Sequence, residues 1–293
     1  MSDAATALIA ELSARCSFPP AGTEVDCAVS GGPDSLALLV LATEAGCGVT
    51  TWHVDHGLRP GSAGEAEVVA RAASRWGAAF EARTVRCAPG ANLEARAREA
   101  RYGVLPEGVL TGHTADDQAE TVLLNLIRGA GLDGMAGITP ARRPLLGLRR
   151  HETLALCHAV GLEPVHDPTN LDPAHRRNRI RHELLPLLDD IAERDVVPII
   201  ARSAGHFRGW CDFLEKQVAA LDPTDARAVA AAPEPLAKLA LRRWIQRETG
   251  AHHPPDAATV DRVLAVANNH ARATEVGRGW RVRRSSQRLG LSR

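Results

Sequence analysis

Two hydrophobic periods alternate along the first half of the chain. Short apolar runs at residues 25–29, 49–54, 79–85 and 109–112 have strand length. Between and after them, residues 36–44, 63–76, 93–102 and 115–128 carry apolar positions at helical spacing. Such strand–helix alternation predicts an α/β fold, a doubly wound parallel sheet with helices on both faces. Residues 129–147 are rich in Gly, Pro and Arg and read as a long functional loop. Helices are expected again at 148–160 and 178–188. Beyond about residue 190 the alternation stops. Residues 197–220, 235–249 and 256–268 look helical, with Pro254-Pro255 marking a helix start, and 274–291 close with short strands. The expected organisation is therefore two domains, 1–190 and a smaller, mainly helical 191–293.

Composition narrows the class without naming a function. The 293 residues are 45% apolar and 24% charged, with formal net charge zero, as in ordinary globular proteins. No apolar run approaches the roughly 20 residues of a membrane helix, and the N-terminus lacks the pattern of a signal peptide. No membrane partner is expected, and a cytoplasmic setting is. The six cysteines form no CxxC pair, which leaves zinc ribbons and iron–sulfur sites unsupported and points to structural thiols. Charge is uneven: residues 141–182 carry eight Arg against four acids, and 271–293 carry seven Arg against one. Such patches can hold polyanions. Aromatic residues make up only 3%, too few for a platform that stacks many bases. His175 has the character to stack one base; Trp210 reads as core.

The first candidate site is Ser30-Gly31-Gly32-Pro33-Asp34-Ser35, between the first strand and its helix. Glycines let the backbone turn tightly and approach phosphate oxygens, and the helix N-terminus favours their charge. Ser30 and Ser35 add hydroxyl donors. Asp34 would repel phosphate unless a metal lies between, so the loop implies Mg²⁺. It lacks the GK[ST] of a Walker loop. His53-Val54-Asp55-His56 follows the second strand, where doubly wound sheets place ligands. His53 and Asp55 are expected to line the nucleotide site. The His-x-x-His pair is weak as a zinc signal, and hydrogen bonding within the loop is the commoner fate. After the fourth strand, Thr111-Gly112-His113-Thr114-Ala115-Asp116-Asp117-Gln118-Ala119-Glu120 crowds His113, Asp116 and Asp117 at a helix start. These acids suit either metal binding and proton handling or simple complementation of the helix dipole.

Taken together, SGGPDS, HVDHGLRP, NLEARAREARY over 92–102 and TGHTADDQAET resemble the tRNA(Ile)-lysidine synthetase family. GAGL over 129–132, RPLL over 143–146, DPTN over 167–170 and RNRIR over 177–181 extend the likeness, which spans roughly residues 25–188. The family often has His where this chain has Thr114. The resemblance implies a Rossmann-like PP-loop (HUP) fold of the N-type ATP pyrophosphatase kind, with ATP and Mg²⁺ as cofactors. It implies adenylation of the wobble cytidine of an isoleucine tRNA with a CAU anticodon, then attack by free L-lysine to give lysidine. By the same likeness Ser30, Gly31, Gly32, Pro33, Asp34, Ser35, His53 and Asp55 hold the nucleotide. Asp34 and Asp117 hold the metal, and Asp34, His113, Asp116 and Asp117 serve catalysis. Asn92, Glu94, Arg98, Arg101, Arg177, Arg179 and Arg181 meet substrate. Arg142, Arg143 and Arg176 join the basic candidates for tRNA phosphates. The C-terminal domain is expected to contact tRNA. The sequence sets no oligomeric state, a homodimer included.

Two alternatives compete. Another PP-loop tRNA-modifying enzyme, such as a thiolation enzyme, would usually bring clustered cysteines, absent here. A catalytically inactive nucleotide-binding RNA module would have little use for Asp34, Asp116 and Asp117 beside phosphates.

Overall fold

Four strands, β1 (Glu24–Ala28), β2 (Gly48–Asp55), β3 (Ala79–Thr84) and β4 (Leu110–Thr111), pair in parallel in the order β3-β2-β1-β4. This computed structural model describes residues 2–55, 62–85, 100, 102–165, 172–251 and 254–293. The chain divides into two units, Met1–Phe207 and Arg208–Arg293. In the first, β1 runs beside β2 with Ala28 opposite Trp52, and beside β4 with Ala28 opposite Thr111. The connection from β1 leads to one neighbour and the later chain returns to the other. A crevice therefore opens at the carboxyl ends of β1 and β4.

Helix α2 (Pro33–Glu44) forms the centre of this unit. Pro33 sits in its first turn, where a missing N–H costs nothing, and Gly32 caps it in an extended conformation. Every residue from Ser35 to Ala42 is buried, which explains why the helix is apolar all round. Leu36, Leu38, Leu39 and Leu41 are fully enclosed in a core shared with Ile9, Leu12, Leu145, Leu148 and Leu156. Ile9 and Leu12 come from α1 (Asp3–Ser13), which the strand–helix pattern did not reveal. Its signals were local: Ala5, Ile9 and Leu12 on one face, and the Ser2 hydroxyl accepting from the Ala5 amide at 3.2 Å.

Three further helices of the unit are α3 (Ser62–Arg75), α4 (Ala115–Ile127) and α5 (Arg150–Ala159). Residues 129–147 are more ordered than a plain loop. They contain single turns at Leu132–Met135 and Pro140–Arg142. Gln118 of α4 secures them: its amide donates to Ala136 and accepts from the Ile138 N–H at 2.6 Å. The helix expected at 178–188 is longer. It begins as Arg176–Arg179, widens into one π-helical turn at Ile180–Leu184 and continues as Leu185–Ala192. The expected helix at 93–102 lies mostly outside the described residues.

The second unit packs helices Ala226–Ala231, Glu234–Thr249 and Ala257–Ala267 against an antiparallel sheet. Its strands are β5 (Ala273–Gly277), β6 (Trp280–Ser285) and β7 (Arg288–Ser292). Leu241, Trp244, Ile245, Val263, Val266, Val282 and Leu289 form its core. Trp210 is not part of a core: it is 56% exposed on helix Val197–Ala219, as is Phe213 at 60%. No described helix is long and apolar enough to cross a membrane.

Glu152 ties the segment just after α1 to α5. It accepts from Arg15 and, at 2.7 Å, from the Arg149 amide at the start of its own helix. Burial opposes its ionisation, but the Arg15 hydrogen bond and the Arg149 amide outweigh that and hold its pKa below the usual value. A depressed folded pKa contributes stability above the unfolded value and loses it as pH falls through the folded one. Glu152→Gln should therefore destabilise the protein by about 1 kcal/mol at pH 7, the half-exposed Arg15 being screened by solvent. The gap between variant and parent should narrow as pH falls below the unfolded value of Glu152 and close only below its lowered folded one. Urea unfolding at pH 7 and pH 3.5 measures both; a gap that does not shrink in acid would refute the assignment.

Candidate active site at the ends of β1 and β4

The loop after β1 is built by its own serines. Ser35 Oγ accepts from the Ser30 amide at 3.1 Å, donates to the Gly32 carbonyl at 2.9 Å and lies 3.3 Å from Ser30 Oγ. Gly31 has φ +90°, which an L side chain would occupy only with strain, and its carbonyl accepts from Val165 N–H at 2.9 Å. The turn places the N-terminus of α2 at the crevice, where its first amides have no intrahelical acceptor. From the β4 side, Gly112 closes against the same loop. A Cβ at Gly112 would stand 2.8 Å from the Asp34 carbonyl carbon. The two motifs are therefore one surface.

His53 supports the loop from below. It is 2% exposed, and its Nδ1 faces the Val29 carbonyl at 3.0 Å, one residue before Ser30. Its Nε2 is buried with no hydrogen-bond partner among the described residues. Asp55 ends β2, and its carbonyl accepts from Val85 N–H. Asn92, Glu94, Arg98 and Arg101 lie outside the described residues, as do His56, Asp167 and Asn170.

The acids are held by residues that sequence reasoning missed. Arg149, Arg150 and Thr153 occupy the start of α5. Arg150 reaches three carboxylates: Asp117 at 3.0 Å, Glu120 at 3.1 Å and Asp34 at 3.5 Å. Arg149 makes two hydrogen bonds to Asp116, at 3.1 and 3.2 Å, and the Arg150 amide adds a third at 2.8 Å. Thr153 donates its hydroxyl to Asp34. Asp117 also caps α4, accepting from the Thr114 amide at 2.9 Å and the Thr114 hydroxyl at 3.2 Å. Thr114, fully buried, thus serves as the cap. His113 lies 2.7 Å, through Nδ1, from Thr111 Oγ1. The available sequence signal for Arg149 and Arg150 was their adjacent charge ahead of an amphipathic helix, which by spacing alone looks like a solvated start.

Glu120 is the deepest of the acids. Its side chain has no exposed surface, and it receives Arg150, Arg181 at 2.7 Å and Arg177 at 3.3 Å. Arg177 also donates to Thr121 Oγ1 at 2.7 Å. Of the five arginines expected to meet substrate, three lie among the described residues, and two of these, Arg177 and Arg181, are turned onto Glu120. The third, Arg179, is exposed and pairs with Glu183 at 2.8 Å. Arg142 and Arg176 are exposed.

Electrostatics separate the three aspartates. Burial pushes Asp34 up to about 6; Thr153 and Arg150 pull it down only in part, and Asp117 and Asp116 add to the rise. For Asp116 burial acts in the same sense, but Arg149 and the Arg150 amide prevail and its pKa is lowered. Asp117 is likewise lowered: Arg150 and the Thr114 amide outweigh burial. Beneath the loop, burial and then the charge of Asp34 raise the Cys157 thiol to about 12, which makes it an inert packing group. No cluster of three or more His, Cys, Asp or Glu among the described residues is arranged to hold a metal. Asp34 and Asp117 are nonetheless hard oxygen donors converging on one cationic group, and Asp34 is short of positive charge. That suits Mg²⁺, which takes one or two carboxylates and completes its shell with phosphate and water.

Residues 7–188 match the family model described as a PP-loop domain. The chain is 43% identical over 257 residues to the tRNA(Ile)-lysidine synthase of Nocardia farcinica, covering 82% of this chain and 80% of that one. It is 42% identical over 239 residues to the enzyme of the same name from Rhodococcus erythropolis, covering 74% and 72%. Against that of Mycobacterium leprae it is 40% identical over 240 residues, covering 74% and 73%. Among solved structures, the U34-tRNA thiolase NcsA of Methanococcus maripaludis, with its [4Fe-4S] cluster, shares the fold. Its TM-score is 0.53 at 17% identity, over 72% of this chain and 79% of that one.

Gly112 gives a direct check on the joined motifs. Gly112→Ala should push the loop carbonyl of Asp34 aside, lowering stability by roughly 1–3 kcal/mol and weakening ATP at least about tenfold. Thermal unfolding and ATP titration read the two effects; unchanged ATP affinity in a folded variant would show that the contact does not shape the loop.

Proposed function

Because the chain belongs to the tRNA(Ile)-lysidine synthase family and carries its PP-loop domain over residues 7–188, we propose that it ligates lysine to the wobble cytidine of an isoleucine tRNA with a CAU anticodon. The observation that carries this reading is the meeting of the Ser30–Ser35 loop with Asp116, Asp117 and His113 at the β1/β4 switch point. ATP lies with its β- and γ-phosphates on the α2 N-terminus, where Gly31, Gly32, Ser30 and Ser35 present the turn and hydroxyls described above. The cytidine O2 attacks the α-phosphorus and the bond to pyrophosphate breaks. The lysine ε-amine then attacks C2, AMP departs with the oxygen, and the amine loses a proton.

The chain's own residues divide this work. Asp34 and Asp117 would hold Mg²⁺, whose chemistry is to neutralise charge on the leaving pyrophosphate. Free lysine has a pKa near 10.4, so its amine must be deprotonated before attack. Asp116 and Asp117, both held ionised by arginines and amides, are weak bases. His113, braced by Thr111 in the same turn, is the better proton acceptor. Asp116 acts as a positioning residue that fixes the start of α5. Asp55 lines the base of the nucleotide site, and His53, buried beneath the loop, supports it. Asn92, Glu94, Arg98 and Arg101 supply further substrate contacts, on the strength of the family likeness. The exposed Arg142 and Arg176 are offered to tRNA phosphates, and Arg179 joins them on leaving Glu183.

A thiolation reaction would need a cysteine cluster. Of the described cysteines, Cys27, Cys47, Cys157 and Cys211 are buried and Cys16 is half-buried, and no such cluster occurs among the described residues. Nucleoside analysis of isoleucine tRNA after incubation with ATP, Mg²⁺ and labelled lysine decides the matter. Label should appear in lysidine at the wobble position, with AMP and pyrophosphate released in equal amounts, and Asp34→Ala should reduce it by at least about a hundredfold. Tight ATP binding with no label in tRNA would favour a binding module instead.

A further inference from the structure

Arg150 is unusual for its arrangement as well as its burial. One guanidinium serves three carboxylates from two elements. Nε faces Asp34 of the phosphate loop; Nη2 and Nη1 face Asp117 and Glu120 of α4. Its side chain is 25% exposed, so solvent still reaches it. Its backbone is anchored independently, because its amide donates to Asp116, and Arg149 grips the same carboxylate. The three contacts differ in strength. Glu120 is fully enclosed, and Arg177 and Arg181 also serve it. Asp34, by contrast, has the longest contact, and its other described side-chain partner is the Thr153 hydroxyl. The guanidinium is thus fixed at its Glu120 end and loosely held at its Asp34 end.

We propose that Arg150 is the resident counter-ion of the crevice: it keeps Asp34 and Asp117 together before nucleotide arrives, and gives up those two carboxylates to the incoming divalent cation while keeping its hold on Glu120. The inference rests on the reading that a cation–nucleotide complex docks at the Ser30–Ser35 loop. Physically, a guanidinium and a magnesium ion compete for the same two carboxylates. Three buried or half-buried acids without any cation between them would repel strongly in a medium of low polarity. A planar, permanently charged fork suits the task, since it can release two donors and keep a third. Arg150 is therefore a positioning residue. It sets how tightly metal binds and in which geometry the acids wait.

The test uses Mn²⁺ as the probe ion, followed by electron paramagnetic resonance, on the full chain and its Arg150→Met and Arg150→Lys variants. Without metal, Arg150→Met should unfold at a lower temperature than the parent, since its acids have lost their counter-ion. With Mn²⁺ alone it should bind the ion about tenfold more tightly or better, because the competing charge is gone. Arg150→Lys keeps the charge but not the fork, and should fold like the parent with an intermediate Mn²⁺ affinity. If a folded variant, Met or Lys, binds Mn²⁺ no more tightly than the parent, Arg150 does not compete with metal and the proposal is overturned. A non-hydrolysable ATP analogue with Mg²⁺, titrated into the parent chain, keeps the two readings apart. If the parent fails to bind it, the nucleotide site itself is wrong; if the parent binds it and the variants' Mn²⁺ affinity is unchanged, only the role of Arg150 is wrong.

Discussion

The structure depends on balancing charge at the point where β1 and β4 end. Four carboxylates meet there, from Asp34, Asp116, Asp117 and Glu120, and four arginines answer them: Arg149, Arg150, Arg177 and Arg181. Burying such groups costs several kcal/mol per ion unless each finds partners of good geometry. The chain meets that condition by drawing the arginines from elements distant in sequence. Residues 149–150 and 177–181 are thereby tied to 116–120 and to the loop at 34. The charge network consequently acts as fold determinant and active-site scaffold together. An apolar substitution could replace its stabilising effect but not its chemistry.

The network also orders the proposed roles. Asp116 has its lone pairs committed to Arg149 and Arg150, and Glu120 is enclosed by three guanidiniums. Asp34 is the acid with charge to spare, and it sits in the phosphate loop itself. A site that must accept a triphosphate and its cation needs an incompletely neutralised carboxylate at that place, and completed ones around it to hold the geometry.

Much of the fold was legible in the sequence because its signals are local. The four strands, α2, α3 and α4 fall close to their expected positions, since strand-length apolar runs and helical periods survive in a buried α/β sheet. The Ser30–Ser35 loop was legible too, because Ser30, Gly32 and Ser35 hydrogen-bond within the loop itself. Arg149, Arg150 and Thr153 were not, because their meaning lies in partners 30 to 119 residues away. Arg177 and Arg181 looked like solvent-facing phosphate contacts for the same reason: nothing in residues 176–182 says that a buried glutamate on α4 awaits them. Trp210 departed in the other direction, an aromatic read as core and found exposed. Helix α1 was not legible in the strand–helix pattern because it precedes the first strand and pairs with none.

The widened turn at Ile180–Leu184 has an evolutionary consequence. Arg177 and Arg181 precede or enter it and face Glu120, while Ile180 and Leu185, five positions apart, both sink into the core beside α4. A regular helix would not bring residues five apart onto one line; the extra residue in the turn does. Charged and greasy faces are phased to each other through that one inserted position. Insertions or deletions along 176–192 would rotate one face off its partner whichever side they fell. Substitutions there can drift, but the length of this segment cannot, so its spacing should vary far less among descendants of this chain than its letters.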